Sequence, residues 1–175
     1  YVALAEKRGI PVSSLRGTIT NDVLVEYMAQ GNWIYPAKAT LRLAGDVIEY
    51  CAKYVPKFNA LTVRGYSIGD GGANPAEEIA FSIAAAFAYI GNGLDRGMDI
   101  DEIAPRINFY LRWDTHFLEV AAKLRATRRL WARLLKERYG AKKAESLAMR
   151  ISGQGGGSIL RAQEPENNLV RGAYA

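Results

Sequence analysis

Residues Val63–Glu78 read VRGYSIGDGGANPAEE. An apolar run leads into them and an Ala-rich segment follows. Between the two sit four glycines, a serine and an aspartate. The pattern is strand, loop, helix. NALTVRG (59–65) has the apolar, β-branched character of a strand. Asn74 is an N-cap, Pro75 suits the first helical position, and Glu77 and Glu78 place negative charge in the first turn. The helix they start runs through IAFSIAAAFAYIGNGLDRG, and its nearly all-round apolar character predicts burial on two sides. The glycines do not follow GxGxxG, because the third is out of register, and GxxxxGK[ST] is absent. On pattern alone the loop is an anion nest or a tight turn.

Working outward, the same alternation repeats. SLRGTIT (14–20) is a strand candidate, and Asn21 and Asp22 can cap a helix over VLVEYMAQ. A second helix spans about 38–54 and is ended by Pro56. Asp99–Ile103 reads as a helical turn and RINFYLR (106–112) as a strand. DTHFLEVAAKLRATRRLWARLLKERYG is a long amphipathic helix, with Phe117, Val120, Ala121, Leu124, Trp131 and Leu135 on its inner stripe. SLAMRIS (146–152) is a strand, GQGGGSI a loop, and NNLVRGAYA another helix. YVALAEKRGI reads as a helix stopped at Gly9. Four strands alternating with helices predict a parallel α/β sheet, either doubly wound or a barrel. In both, ligands sit at the C-terminal strand ends. The positions there are Thr20–Asp22, Tyr66–Asp70, Arg112–Asp114 and Ser152–Ser158.

The 175 residues fit one domain or part of one. No run approaches the roughly 20 apolar residues of a membrane span, and the N-terminus lacks the build of a secretory signal. The single cysteine, Cys51, forms no disulfide within the chain and sits where packing is expected, in keeping with a reduced, cytoplasmic setting. The single histidine, His116, excludes multi-histidine metal sites and reads as a helix-start or surface residue. Residues 1–100 carry 9 basic and 10 acidic side chains; residues 101–175 carry 14 and 8. A basic half suits nucleic acid, an anionic ligand or an acidic partner. The cations of 115–139 read first as a solvated helix face, and no strand interleaves aromatic and basic residues as a base-stacking platform does.

The loops go further. RGTITNDVLVEYMAQGNWIYP, TVRGYSIGDGGANPAEEIAFSIAAAFAYI, IAPRINFY, KLRATRRLWARLLKERYGAKKAESLAMRISGQ and AQEPENNLVR, taken together, resemble the coenzyme B12-dependent acyl-CoA mutases. The resemblance covers essentially the whole chain. It implies a partial TIM (β/α)8 barrel of about four βα units with parallel strands, with 1–175 an inner section of the acyl-CoA-binding barrel and the cobalamin-binding domain outside it. It implies adenosylcobalamin as cofactor, an acyl-CoA substrate, a cobalamin-binding domain or subunit and a homo- or heterodimer, with neither nucleic acid nor membrane as partner. In these mutases the adenosyl radical takes a hydrogen from the acyl group, the carbon skeleton rearranges, and the hydrogen returns.

The resemblance also assigns residues. Tyr66 stands for the tyrosine that shapes the radical pocket, and Ser67 stands where a histidine hydrogen-bonds the thioester carbonyl. Thr20 replaces a glutamine that faces the substrate. Gln30 replaces the arginine that pairs with the second carboxylate of methylmalonyl-CoA, so an acyl group without that carboxylate is expected. Arg106 matches an arginine on the CoA phosphates, Asn108 a serine, and Tyr110 an aromatic near the CoA arm. Ser152 replaces a second pocket histidine, while Gln154 keeps a glutamine facing the pocket. Ala29, Asp70, Gly157 and Ser158 fall at positions against the corrin. With both pocket histidines replaced by serines, a catalytically degenerate binding or scaffold subunit is the alternative, and an isolated section is expected to be inactive.

Overall fold

The computed structural model describes residues 1–175. In chain order the elements are α1 (Val2–Lys7), β1 (Gly17–Thr18), α2 (Val23–Gln30), α3 (Ala37–Tyr54), β2 (Phe58–Asn59), β3 (Leu61–Val63), α4 (Gly65–Asp70), α5 (Pro75–Asp95), α6 (Ile100–Ile103), β4 (Ile107–Trp113), α7 (Phe117–Tyr139), α8 (Ala144–Leu147), β5 (Arg150–Gly155) and α9 (Asn167–Tyr174). Short 3-10 turns lie at Val12–Ser14, Ala104–Arg106 and Gly157–Ile159.

Local chemistry sets the helix ends. Asn74 accepts from the amides of Ala76 and Glu77 at 3.0 Å, and Glu77 reaches back to the Asn74 amide at 2.9 Å, completing a capping box at the start of α5. Asp22 caps α2 by accepting from the Val25 amide. Gly31 and Gly140 close α2 and α7 in the left-handed region, at φ 66° and 67°.

All strand pairs are parallel. β1 pairs with β2, and β3, β4 and β5 pair in that order. Only Ala60 separates β2 from β3, so neighbours in space are neighbours in sequence throughout. A doubly wound sheet reverses its strand order part-way. No reversal occurs here, and the array is a section of a (β/α) barrel.

One face of the array is apolar and packed on helices. Ile107, Phe109 and Leu111 of β4 are buried there with Leu61 and Val63, against Ile48 of α3, Tyr89 and Ile90 of α5, and Trp131 and Leu135 of α7. Phe109 meets Trp131 edge-on at 5.0 Å. Each such side chain contributes roughly 1.5–3 kcal/mol through burial. α5 packs against α3, α4 and α7, as its nearly uniform apolar sequence predicts. The opposite face carries the alternate residues Asn108, Tyr110 and Arg112, all partly open.

Several sequence expectations are corrected. The strand expected over 14–20 is two residues long, because Val12–Ser14 is a 3-10 turn. The strand expected over 59–65 ends at Val63, and the glycine stretch begins with helix α4 instead of open loop. The last strand is 150–155, not 146–152: Ala144–Leu147 is a helical turn, held where the Trp131 indole donates to the Ser146 carbonyl at 3.1 Å. On α7, Phe117 and Ala121 are exposed, while Lys123 and Thr127 share the buried stripe with Trp131 and Leu135. Lys123 turns inward because Glu78 is there to receive it. Cys51 is buried and His116 occupies the N-cap position of α7, as expected.

Candidate functional site

The open face of β4 and β5 forms a polar strip. Register places Asn108 beside Arg150, Tyr110 beside Ser152, and Arg112 beside Gln154. The Asn108 amide donates to Ser152 Oγ at 2.9 Å, Ser152 Oγ donates to the Phe109 carbonyl at 3.3 Å, and the Tyr110 hydroxyl donates to Gln154 Oε1. Thr62 of β3 lies in the same register row as Asn108, and its Oγ1 is buried without a partner. A buried orphan hydroxyl is uncommon and marks a place where another group is expected.

At the N-terminal strand ends the strip opens into a cleft of about 340 Å³ lined by Arg16, Pro56, Lys57, Phe58, Asn59, Pro105, Arg106 and Arg150. Four of these residues are cations and none is an acid. Arg150 donates to Asn59 Oδ1 at 2.6 Å, and Arg106 donates to the Glu102 carbonyl. None of the four forms an ion pair. Burial lowers the Arg106 pKa from the usual arginine value, partly opposed by Glu102.

At the C-terminal ends, α4 brings Tyr66, Ser67 and Asp70 to the rim. Asp70 Oδ1 accepts from Ser158 Oγ at 2.7 Å and from the Ser158 amide at 3.3 Å. The Tyr66 hydroxyl donates to Asp70 Oδ2 at 3.5 Å and accepts from the Gly157 amide at 3.2 Å. Arg112 reaches Asp70 at 3.5 Å, Asp114 at 2.8 Å and Ser158 Oγ at 3.0 Å. Burial works to raise the Asp70 pKa, but the Ser158 hydrogen bonds and the Arg112 charge together outweigh it, and the carboxyl sits below its usual range. A Cβ on Gly156 would come 2.4 Å from Arg112 Nε, so a larger residue there would push the Arg112 side chain out of its present position. Trp113 closes the end of β4 over Gly153, whose missing Cβ would otherwise fall 2.1 Å from the indole nitrogen.

Beneath the rim is a buried ion pair. Lys123 Nζ lies 2.8 Å from Glu78 Oε2, with both side chains about 5% exposed or less. Glu78 Oε1 accepts from the Arg112 amide at 2.8 Å, and Lys123 donates to the Arg112 carbonyl. The pair therefore grips both peptide groups of the residue whose side chain organises the rim.

Ser67 is buried and adjoins Gln30 of α2 at 3.2 Å. With the Gln30 amide oxygen turned toward Ser67, it also accepts from Arg64 at 3.0 Å, and its nitrogen donates to Glu26 at 2.9 Å. Arg64 pairs with Glu26 at 2.5 Å. Its backbone amide donates to Asp22 Oδ2 at 2.8 Å, while Asp22 Oδ1 accepts from the Tyr89 hydroxyl at 2.8 Å. Burial raises the Asp22 pKa in spite of those donors. Ala29 lines an apolar cleft of about 350 Å³ with Met28, Ile68, Gly71, Ala73 and Phe81.

The structure thus brings together Tyr66, Asp70, Gly157 and Ser158; Gln30 and Ser67; and Asn108, Tyr110, Ser152 and Gln154. Arg106 stands at the far end of the strip. Thr20 lies exposed beyond β1 and joins none of these groups through its side chain. Sequence reasoning missed Arg64, Glu26, Glu78 and Lys123, whose partners are distant in the chain.

A family model described as methylmalonyl-CoA mutase matches residues 1–175. The chain belongs to the methylmalonyl-CoA mutase family. It is 40% identical over 174 residues to the methylmalonyl-CoA mutase of Cereibacter sphaeroides, covering 99% of this chain and 24% of that protein. It is 40% identical over 171 residues to a probable mitochondrial methylmalonyl-CoA mutase of Caenorhabditis elegans, covering 98% of this chain and 23% of that one. The human mitochondrial enzyme is 38% identical over 173 residues, covering 99% and 23%. The chain therefore spans about a quarter of the length of these mutases. No helix is long and apolar enough to cross a membrane.

Proposed function

We propose that the chain is an inner section of the substrate barrel of an adenosylcobalamin-dependent acyl-CoA mutase, an isomerase acting on a CoA ester without the second carboxylate of methylmalonyl-CoA. The observation that carries this reading is the polar strip of β4 and β5. From Arg106 to Arg112 it extends roughly 20 Å at about 3.3 Å per residue, the scale of an extended CoA arm. Its unpaired cations suit the phosphates at one end. Asn108, Tyr110, Ser152 and Gln154 suit the amides of the arm, and Ser67 is at the acyl end.

The rim fits a corrin. Asp70 offers an acceptor for amide side chains, Gly157 presents flat backbone, and Ala29 adds small apolar surface. When bound, adenosylcobalamin would supply the radical chemistry; a cobalamin-binding domain or subunit, in a homo- or heterodimer, would complete its site. The chain's own residues hold and shield. Ser67 can turn its hydroxyl from Gln30 to the thioester carbonyl. Tyr66, fixed between Asp70 and Gly157, walls the pocket. Gln30 carries no charge to neutralise a carboxylate. A reducing compartment suits Cys51, and both cytoplasm and mitochondrial matrix meet that condition.

The test uses the full-length protein with its cobalamin-binding module, adenosylcobalamin and a panel of acyl-CoA esters, with isomerised ester read by mass spectrometry. Rearrangement of a monocarboxylic acyl-CoA but not of methylmalonyl-CoA is expected. Turnover of methylmalonyl-CoA would overturn the substrate assignment. A second reading, the degenerate subunit, draws on Ser67 and Ser152, whose hydroxyls are already engaged by Gln30 and by Asn108 with the Phe109 carbonyl. Tight CoA binding without turnover of any ester would favour it.

A further inference from the structure

Strand β4 outruns its neighbour. β3 ends at Val63, opposite Phe109, and β4 continues four residues further, to Trp113. The other edge of β4 stays paired, because β5 follows it to Gly155. Successive residues of a strand turn their peptide groups to opposite edges. The Trp113 carbonyl accepts from the Gly156 amide at 3.0 Å on the β5 side, so the amide and carbonyl of Arg112 face the edge that β3 has left. Without partners and away from water, those two groups would cost free energy. Glu78 accepts from the Arg112 amide at 2.8 Å, and Lys123 donates to the Arg112 carbonyl. The two side chains thus provide the acceptor and the donor that a longer β3 would have provided.

The exchange frees space at the rim. Where β3 would have continued, the chain turns into α4 and carries Tyr66, Ser67 and Asp70 there. α4 packs directly on the pair: a Cβ on Gly69 would come 3.1 Å from Glu78 Oε2 and 3.2 Å from Arg112 Cβ. With its backbone held, Arg112 meets Asp70, Asp114 and Ser158 Oγ. Stability does not account for charges at this place, since a buried ion pair gives little advantage over apolar residues of the same volume. A directed donor and acceptor are what apolar residues lack. We infer that Glu78 and Lys123 are positioning residues for cofactor docking: standing in for a missing length of strand, they fix Arg112 and, through it, the Asp70–Ser158 clasp that meets the corrin. The inference rests on the acyl-CoA mutase reading above.

The experiment uses the full-length protein with its cobalamin-binding module and measures binding of two probes, adenosylcobalamin and coenzyme A, by calorimetry. Glu78→Leu with Lys123→Met is expected to bind adenosylcobalamin roughly tenfold more weakly, the scale of one hydrogen bond to a charged group. Coenzyme A binding stays as it was, a split that general loss of structure cannot produce. Glu78→Gln with Lys123→Met keeps an acceptor for the Arg112 amide and recovers part of the loss; it carries the test where the apolar double variant does not fold. Arg112→Ala weakens adenosylcobalamin binding by itself, and adding either double variant to it weakens binding no further, because the pair acts through that residue. Unchanged adenosylcobalamin affinity in the folded double variants, equal weakening of both probes, or losses that add to that of Arg112→Ala overturn this inference alone. Failure of the unaltered protein to bind adenosylcobalamin overturns the mutase reading and this inference with it.

Discussion

The two ends of the strand array handle charge in opposite ways. At the N-terminal end Arg16, Lys57, Arg106 and Arg150 surround a cleft that no acid lines. At the C-terminal end every cation is balanced: Arg112 by Asp70 and Asp114, Arg64 by Glu26, and Lys123 by Glu78. Clustered like charges cost free energy unless something answers them. The first end is therefore built for an anion brought from outside. The second is preorganised and electrically closed, in keeping with the neutral reacting group and hydrogen-bonded cofactor proposed above.

The contrast breaks most severely at Lys123. Lys123→Met leaves Glu78 buried without its partner, and a loss of about 3–5 kcal/mol is expected in denaturant unfolding of the full-length protein. The double variant Lys123→Met with Glu78→Gln should recover much of that loss. Failure to do so would mean that the Arg112 peptide contacts, rather than the charges, carry the effect.

A smaller effect sharpens the cationic end. Arg106→Ala and Arg150→Ala should each weaken CoA binding by roughly tenfold, about 1.5 kcal/mol, and flatten its dependence on ionic strength. Truncations at Arg112 should leave that salt dependence as steep as before. Equal flattening at both ends would erase the distinction.

The smallest effect is at Asp70. Its folded-state pKa lies below the ordinary carboxylate value, so its contribution to stability is present above that value. The contribution is lost as pH falls through the lowered pKa. Asp70→Asn should remove this component of the acid-side slope, worth under about 1 kcal/mol at a partly exposed site. An unchanged slope between the two proteins in pH-dependent melting would show that the rim network does not depend on the ionised form.

How much of this was legible in the sequence depended on the range of the interactions. Caps are local, so Asn74, Pro75 and Glu77 announced α5, and Gly140 the end of α7. The glycines of 65–72 misled because they read as a tight turn or an anion nest. Gly65 and Gly69 instead permit close packing: a Cβ on Gly65 would come 2.4 Å from Ser82 Oγ, and one on Gly69 would come 3.1 Å from Glu78. Tertiary contact thus overrides poor helix propensity in α4. Barrel and doubly wound sheets share their local patterns, and only strand order separates them. The pairs Asn108–Ser152 and Tyr110–Gln154 needed the register of β4 and β5, because the strand expected over 146–152 left Gln154 outside it. Arg64–Glu26 and Lys123–Glu78 were not legible, because partners 38 and 45 residues apart leave no periodic trace.

The indole laid over Gly153 has an optical consequence. The chain's three tryptophans occupy three environments: Trp33 is 71% exposed, Trp131 is 1% exposed, and Trp113 is partly covered at the proposed corrin rim. A corrin absorbs where indole emits. Its arrival should therefore quench Trp113 by energy transfer, most steeply when the ring lies closest, and Trp33→Phe would remove the solvent-exposed background. If a corrin docks at this rim as proposed, the fold would carry its own fluorescent gauge of that docking, readable without turnover or an added label.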